Sequence, residues 1–251
     1  MYAHLFISLF LTAAAFLILP VQALQCAGKP GTVPEITAIQ VEKGPVIDGK
    51  LEDDVWRGAA IYGSVTSGFL VGSAARLAAY QPVCFLTYDR QYLYIATITY
   101  VPDSLRLKAN STTARFSWSD DLIQVFLEPD SGYYIYYTVN SKGFHCSSDA
   151  FNPGSDSKTN LGEGLIVSAS NSDKYWTLEM AIPWKNLKFV PKAGKRIGFN
   201  IVAYQNTSGD GWISWAALYG TALNTERFGY LVLGETMRIP VIPRTPEDDN
   251  F

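Results

Sequence analysis

Three kinds of side chain in this sequence could do chemistry: a group of carboxylates, a histidine and an aromatic residue in a polar loop. Asp120 and Asp121 adjoin one another, and Glu128 follows in the same apolar stretch. A carboxylate pair on one face could serve glycoside hydrolysis, one group as acid and the other as base or nucleophile. Neighbours on a strand point to opposite faces, however, and nothing in the sequence selects a same-face partner for Asp121. These carboxylates are therefore expected to be solvated or to cap turns. The sequence has 2 His. His4 lies in the N-terminal apolar stretch, so a catalytic triad or imidazole metal site would rest on His145 alone. No Gly-rich phosphate loop, paired-Cys zinc pattern or HExxH is present. No catalytic residue is assigned, and the metal-binding residues are left unassigned.

Trp118 is different. It sits among Ser117, Ser119 and Asp120, after the polar run Asn110-Ser111-Thr112-Thr113. An aromatic ring on a polar rim marks recognition, and its face suits the C–H face of a sugar ring.

Composition narrows the partners. The net charge of −3 argues against nucleic acid, which needs a basic face, and against an anionic membrane surface. Aromatics make up 14% of the chain, with 15 Tyr and 6 Trp, against 17% charged residues. In a β protein many of these rings are core, yet the count also raises the expectation of sugar contact.

The elements that must position these residues begin after a leader. Leu5 to Leu19 are mostly apolar, Pro20 ends the run, and Val21-Gln22-Ala23 supplies the small residue required for cleavage. Residues 1–23 are read as a secretory signal peptide, although no Lys or Arg precedes the apolar run. The run is short for a membrane span, which needs about 20 residues. The mature chain is thus expected to be secreted, extracellular or periplasmic, without a membrane span. Gln25 precedes Cys26 where lipidation needs a small residue, which argues against a lipid anchor there. Cys26, Cys84 and Cys146 are an odd number, so at most one internal disulfide is expected; whether Cys84 and Cys146 pair stays open.

Residues 24–40 read as an extended leader, 41–238 as one β-sandwich domain, and 239–251 as a disordered acidic tail. Within the domain the apolar period is two. Tyr92, Tyr94, Ala96, Ile98 and Tyr100 share one strand face, and Leu93 and Ile95 the other. Ile123, Val125 and Leu127 alternate with Leu122, Gln124 and Phe126. Pro129-Asp130-Ser131-Gly132 turns the chain, so 121–140 reads as a hairpin. Further stripes run through Trp176, Leu178, Met180 and Ile182, through Ile197, Phe199, Ile201 and Ala203, and from Phe228 to Leu233. No long helical period appears; Pro183 to Leu187 fits one turn. The expected fold is all-β: a single two-sheet sandwich of antiparallel strands, jelly-roll-like or immunoglobulin-like.

At this point the ordered segments resemble a known family. Ile47-Asp48-Gly49-Lys50-Leu51-Glu52-Asp53-Asp54-Val55-Trp56 is similar to the opening signature of family 9 carbohydrate-binding modules. Tyr88 to Ile95, Trp118 to Leu127, Val139 to Gly143, Glu179 to Trp184, Ile197 to Asn200 and Phe228-Gly229 follow in the same order. The resemblance implies a β-sandwich that binds a polysaccharide or oligosaccharide without catalysis, often beside a separate glycoside hydrolase. It implies no required cofactor and frequently bound structural calcium, for which Asp53, Asp54, Asp120, Asp121 and Asp130 offer oxygens. It also implies that Trp118 stacks on the sugar, with Gln124, Thr138, Asn140 and Asp121 as polar ligand-binding residues. Gln124 stands where the family has Glu, and Thr138 where it has Arg. The family's second stacking Trp has no counterpart at Ala222 or Leu223; Tyr219, Trp212 and Trp215 are the alternatives, with Trp215 favoured as core. Trp56 and Trp184 are expected to be structural.

Two other readings stay open. Related sandwiches bind haem, and Met180, Met237 and His145 are the axial candidates. A structural or adhesive surface role fits the same fold. Asn110-Ser111-Thr112 and Asn206-Thr207-Ser208 are glycosylation acceptors in a eukaryotic source.

Overall fold

The computed structural model describes residues 33–72, 76–103, 106–111, 117–130, 132–149, 161–218 and 220–238. The expected signal peptide, Cys26, Tyr219 and the acidic tail lie outside them. Among the described residues thirteen strands form in chain order. They are β1 (Glu35–Gln40), β2 (Val65–Thr66), β3 (Leu70–Val71), β4 (Pro82–Tyr88), β5 (Tyr92–Tyr100), β6 (Leu122–Asp130) and β7 (Tyr133–Asn140). Then come β8 (His145–Asp149), β9 (Ile166–Asn171), β10 (Tyr175–Pro183), β11 (Arg196–Gln205), β12 (Gly211–Ser214) and β13 (Gly229–Thr236). One helix, α1 (Asp54–Ile61), precedes β2.

The hydrogen-bonded path runs β8-β7-β6-β11-β13-β1-β4-β5-β10-β9, with β12 on β11 and β3 on β12. The path folds back on itself, so that one arm faces the other. Ile123, Val125 and Leu127 of β6 and Ile135, Tyr137 and Val139 of β7 share a core with Leu93 and Ile95 of β5 and Leu178, Met180 and Ile182 of β10. This is the expected all-β sandwich, and the alternation of apolar residues builds it. Each fully buried Leu or Ile contributes roughly 1.5–3 kcal/mol. The hairpin forms in the register Leu122↔Asn140 to Asp130↔Tyr133. Trp184–Leu187 makes the helical turn expected after Pro183, as a 3-10 helix.

Three features differ from the reading of the sequence. Residues assigned to the leader form β1, an inner strand, so the sheet starts before Val41. β1 also pairs in parallel with both β13 and β4, so the sandwich is not purely antiparallel. Its short length hides it: Ile36, Ala38 and Ile39 are buried, but six residues carry little periodicity. Finally, α1 was unexpected, because eight residues span barely two helical turns.

Helix α1 lies on the outward face of β4, β5 and β10. Trp56, Ala59, Val65, Phe85, Tyr94, Ala96 and Ala181 form a second core there. A buried carboxylate locks this layer. Glu179 accepts hydrogen bonds from the Gly49 amide at 2.7 Å, the Asp48 amide at 3.0 Å and Trp56 Nε1 at 2.6 Å. Gly49 has φ +88°, and a Cβ there would meet the Ala169 carbonyl carbon at 3.0 Å; the tight turn and the close approach both require glycine. No helix among the described residues is long and apolar enough to cross a membrane.

Candidate functional site

The opposite arm has its own outward face, and the register of its strands fixes which side chains meet there. Gln124 of β6 stands between Thr138 of β7 and Val202 of β11. In the row on one side, Leu122 stands between Asn140 and Tyr204, and Tyr204 pairs onward with Trp212 of β12. In the row on the other side, Phe126 stands between Tyr136 and Asn200. Gln124 and Thr138 form a buried pair, with Gln124 Nε2 donating to Thr138 Oγ1 at 3.1 Å. Phe126 stacks on Tyr136 with centroids 5.0 Å apart. Phe228 and Leu218, from the segment after β12, complete this third cluster.

Trp118 projects from the loop ahead of β6 and is 53% exposed. Its ring lies 5.3 Å from that of Tyr204, tilted by 39°. Tyr204 is half-buried; burial first, then the nearby Tyr136, raises its hydroxyl pKa above the usual tyrosine value. The phenol is therefore neutral at neutral pH, able to donate and to accept. Trp212, half-buried beside Tyr204, packs with the same cluster. Trp215 instead points inward against Phe199, at 5.5 Å between centroids, and is buried, as are Trp56 and Trp184. Ala222 is half-buried and Leu223 is 37% exposed. The aromatic neighbours of Trp118 are thus Tyr204 and, through it, Trp212. Tyr204 went unnoticed in the sequence because it carried no motif; only strand pairing puts it under Trp118.

All four expected polar contacts are buried, Gln124 and Thr138 at 2% exposure each, and Asp121 and Asn140 are committed to loops. Asp121 is 1% exposed. Its Oδ2 accepts from the Lys108 amide at 2.8 Å and from Thr207 Oγ1 at 2.6 Å, and its Oδ1 from the Thr207 amide at 3.0 Å. Asn140 is fully buried. Its Oδ1 accepts from the Lys142 and Phe144 amides at 3.0 and 3.1 Å, and its Nδ2 donates to Asp120 Oδ2 at 3.3 Å. Both side chains hold loops and do not line the face. The physical reason is that buried polar groups must be paired, and backbone amides at the strand ends supply the partners.

Asp120 is the hub of the Trp118 loop. It accepts from the Asn110 amide at 2.9 Å and the Ser111 amide at 3.0 Å. Burial acts to raise its pKa, but the hydrogen bonds from Asn110, Ser111 and Asn140 outweigh it and hold the carboxyl below the usual aspartate value. Asn206 Nδ2 donates to the carbonyls of Trp118 and Asp120, at 3.0 and 2.8 Å. That commits the amide of one of the two glycosylation sequons.

These arrangements bear on a metal. Calcium needs oxygens with lone pairs turned toward the ion, whereas Asp120 and Asp121 turn theirs to N–H and O–H donors. These two carboxylates do not fit calcium. Among the described residues no group of three or more His, Cys, Asp or Glu could hold a metal ion. The residues weighed as haem ligands are scattered by environment. Met180 is buried in the main core, Met237 is 36% exposed beyond β13, and His145 is exposed on β8. Cys84 and Cys146 are both buried, and no disulfide joins them to one another.

Residues 47–236 match the model of the family described as carbohydrate family 9 binding domain-like. Among solved structures, a family 9 carbohydrate-binding module from Caldicellulosiruptor kristjanssonii in complex with cellotriose matches with TM-score 0.60 at 20% identity, covering 84% of this chain and 100% of that one. The same organism's family 9 module in complex with glucose matches with TM-score 0.60 at 19% identity, covering 83% and 100%. A protein from Bacteroides uniformis follows with TM-score 0.59 at 12% identity, covering 80% and 100%. No curated protein matches the chain.

Proposed function

The chain belongs to the carbohydrate family 9 binding-domain-like family, and from that premise we propose that its Trp118 face binds a saccharide without catalysing a reaction on it. The observation that carries this reading is the half-exposed Trp118 ring set over Tyr204. An aromatic face stacks on sugar C–H groups. The neutral Tyr204 phenol both donates and accepts, which matches the hydroxyls of a sugar.

The ligand contacts proposed are Trp118, Tyr204 and Trp212, with the Gln124–Thr138 pair buried beneath the same sheet face. Asp121 and Asn140 act behind them as loop supports. With rings gathered on one side, a single sugar face is stacked, so affinity is modest for this kind of module. The wider role is recognition of a polysaccharide by a secreted module that works beside a separate glycoside hydrolase. The apolar N-terminal run from Leu5 to Leu19 supports export.

The test is titration with glucose and cellotriose, together with a glycan array and pull-down on insoluble polysaccharides. Wild type should bind at least one of these glycans and Trp118→Ala should lose that binding. If the two proteins behave alike on every glycan, the site is wrong.

A further inference from the structure

A recognition ring on a loop costs affinity unless the loop is fixed before the ligand arrives, because ordering it on binding consumes part of the contact energy. The loop that carries Trp118 is short of its own regular structure: within it the Asp120 amide bonds back to the Ser117 carbonyl at 3.0 Å. The Ser117 and Ser119 hydroxyls also bond to one another at 2.5 Å, and further fixings come from outside. Asn206 Nδ2 donates to both the Trp118 and the Asp120 carbonyls. The next residue, Thr207, donates its amide to Asp121 Oδ1 and its hydroxyl to Asp121 Oδ2, with the Arg106 carbonyl 3.1 Å from the same hydroxyl.

Both residues directly follow β11, whose Tyr204 lies under the Trp118 ring. Asn206 and Thr207 are the central residues of the turn that the Ser208 amide closes on the Gln205 carbonyl at 3.1 Å. The end of β11 supplies the second ring, and the turn directly after it pins the backbone of the first.

We infer that Asn206 is the positioning residue for Trp118, with Thr207 as its companion, and that the pair sets the Trp118–Tyr204 ring geometry used for binding. The inference rests on the reading of the Trp118 face as the saccharide site. Its first readout needs no saccharide.

The experiment labels the full chain with 5-fluorotryptophan and identifies the Trp118 fluorine resonance by its loss in Trp118→Phe. In Asn206→Ala the Trp118 resonance moves toward the position of an exposed, unpacked indole. The same occurs in Asn206→Asp at neutral pH, because the near-isosteric carboxylate cannot donate to two carbonyls. Cellotriose affinity falls by about tenfold in both, the scale of one side chain that must now be ordered on binding. The control is Thr177→Val, which removes a buried hydroxyl bonded to the Gly49 carbonyl on the other arm. It lowers stability but leaves the Trp118 resonance and the affinity in place, so a general loss of stability does not mimic the effect. A Trp118 resonance that superimposes on wild type in both Asn206 variants overturns the inference, as does an affinity loss no larger than that of Thr177→Val. If wild type binds no saccharide, the functional reading fails, and the fluorine resonance alone then decides whether Asn206 positions the ring.

Discussion

The two outward faces of this sandwich are both aromatic, but they are finished differently. The face of β4, β5 and β10 is closed by α1, with Trp56 6.5 Å from Phe85. Its carboxylate, Glu179, is buried among three donors from the Ile47–Trp56 stretch. Among the described residues no α-helix closes the face of β6, β7, β11 and β12. Phe126, Tyr136 and Phe228 cover part of it, and at its edge Trp118 stays half in water over Tyr204. The comparison teaches that aromatic content does not mark the functional face. A closed lid turns rings into core, and a fixed loop with an open edge turns one ring into a contact.

The two carboxylates show the same contrast. Burial raises the pKa of Glu179 above the usual glutamate value, against the hydrogen bonds from Trp56, Gly49 and Asp48. At Asp120 the hydrogen bonds win over burial and the pKa falls. One carboxylate plugs a core; the other ties a loop.

The largest effect expected is on the closed face. Glu179→Ala strands three donors and leaves a void, which should cost roughly 3–5 kcal/mol of unfolding free energy, measurable by urea denaturation. The molecules that remain folded should bind saccharide as wild type does. Trp118→Ala should do the reverse. Affinity should fall by roughly 30-fold, about 2 kcal/mol, while stability changes by no more than about 0.5 kcal/mol. Equal stability losses in the two variants would erase the distinction between the faces.

Trp212→Ala is the next step down. It should weaken cellotriose binding by about fivefold, the scale of one aromatic contact, and weaken glucose binding less, because a single ring over Trp118 does not extend to a second aromatic. Calorimetric titration of both sugars separates these outcomes.

The pH dependence of stability is the smallest and sharpest contrast. Asp120, with its lowered pKa, contributes stability that is present above the unfolded aspartate value near 4 and is lost as pH falls through its folded value. Glu179 has the opposite sign. Its contribution is present below the unfolded glutamate value near 4.3 and is lost as pH rises through its raised folded value. In urea unfolding across pH, Asp120→Asn should flatten the acid side of the profile. Glu179→Gln should remove the decline on the side above the unfolded glutamate value. Identical profiles for the two variants would show that the carboxylates play one role.

The sequence by itself determined what is local. Alternation separates Ile123, Val125 and Leu127 from Leu122, Gln124 and Phe126, and that division is the one between the main core and the outward face. The polar setting of Trp118 foretold an exposed indole, and the tendency of large aromatics to be buried, with the strand-like segment of Trp215, foretold buried rings at Trp56, Trp184 and Trp215. Only the tertiary structure decided which polar groups remain for a ligand. Asp121 and Asn140 carry the right chemistry, yet Asp121 is taken by Thr207, 86 residues away, and Asn140 by Asp120 and its own turn. Tyr204 becomes the neighbour of Trp118 only because β11 pairs with β6. Glu179 becomes a lock only because its strand meets the Asp48-Gly49 turn, 131 and 130 positions distant. Periodicity is fixed by backbone geometry within a few residues. A buried polar atom, in contrast, takes whichever partner the fold brings nearest, and that choice belongs to the whole chain.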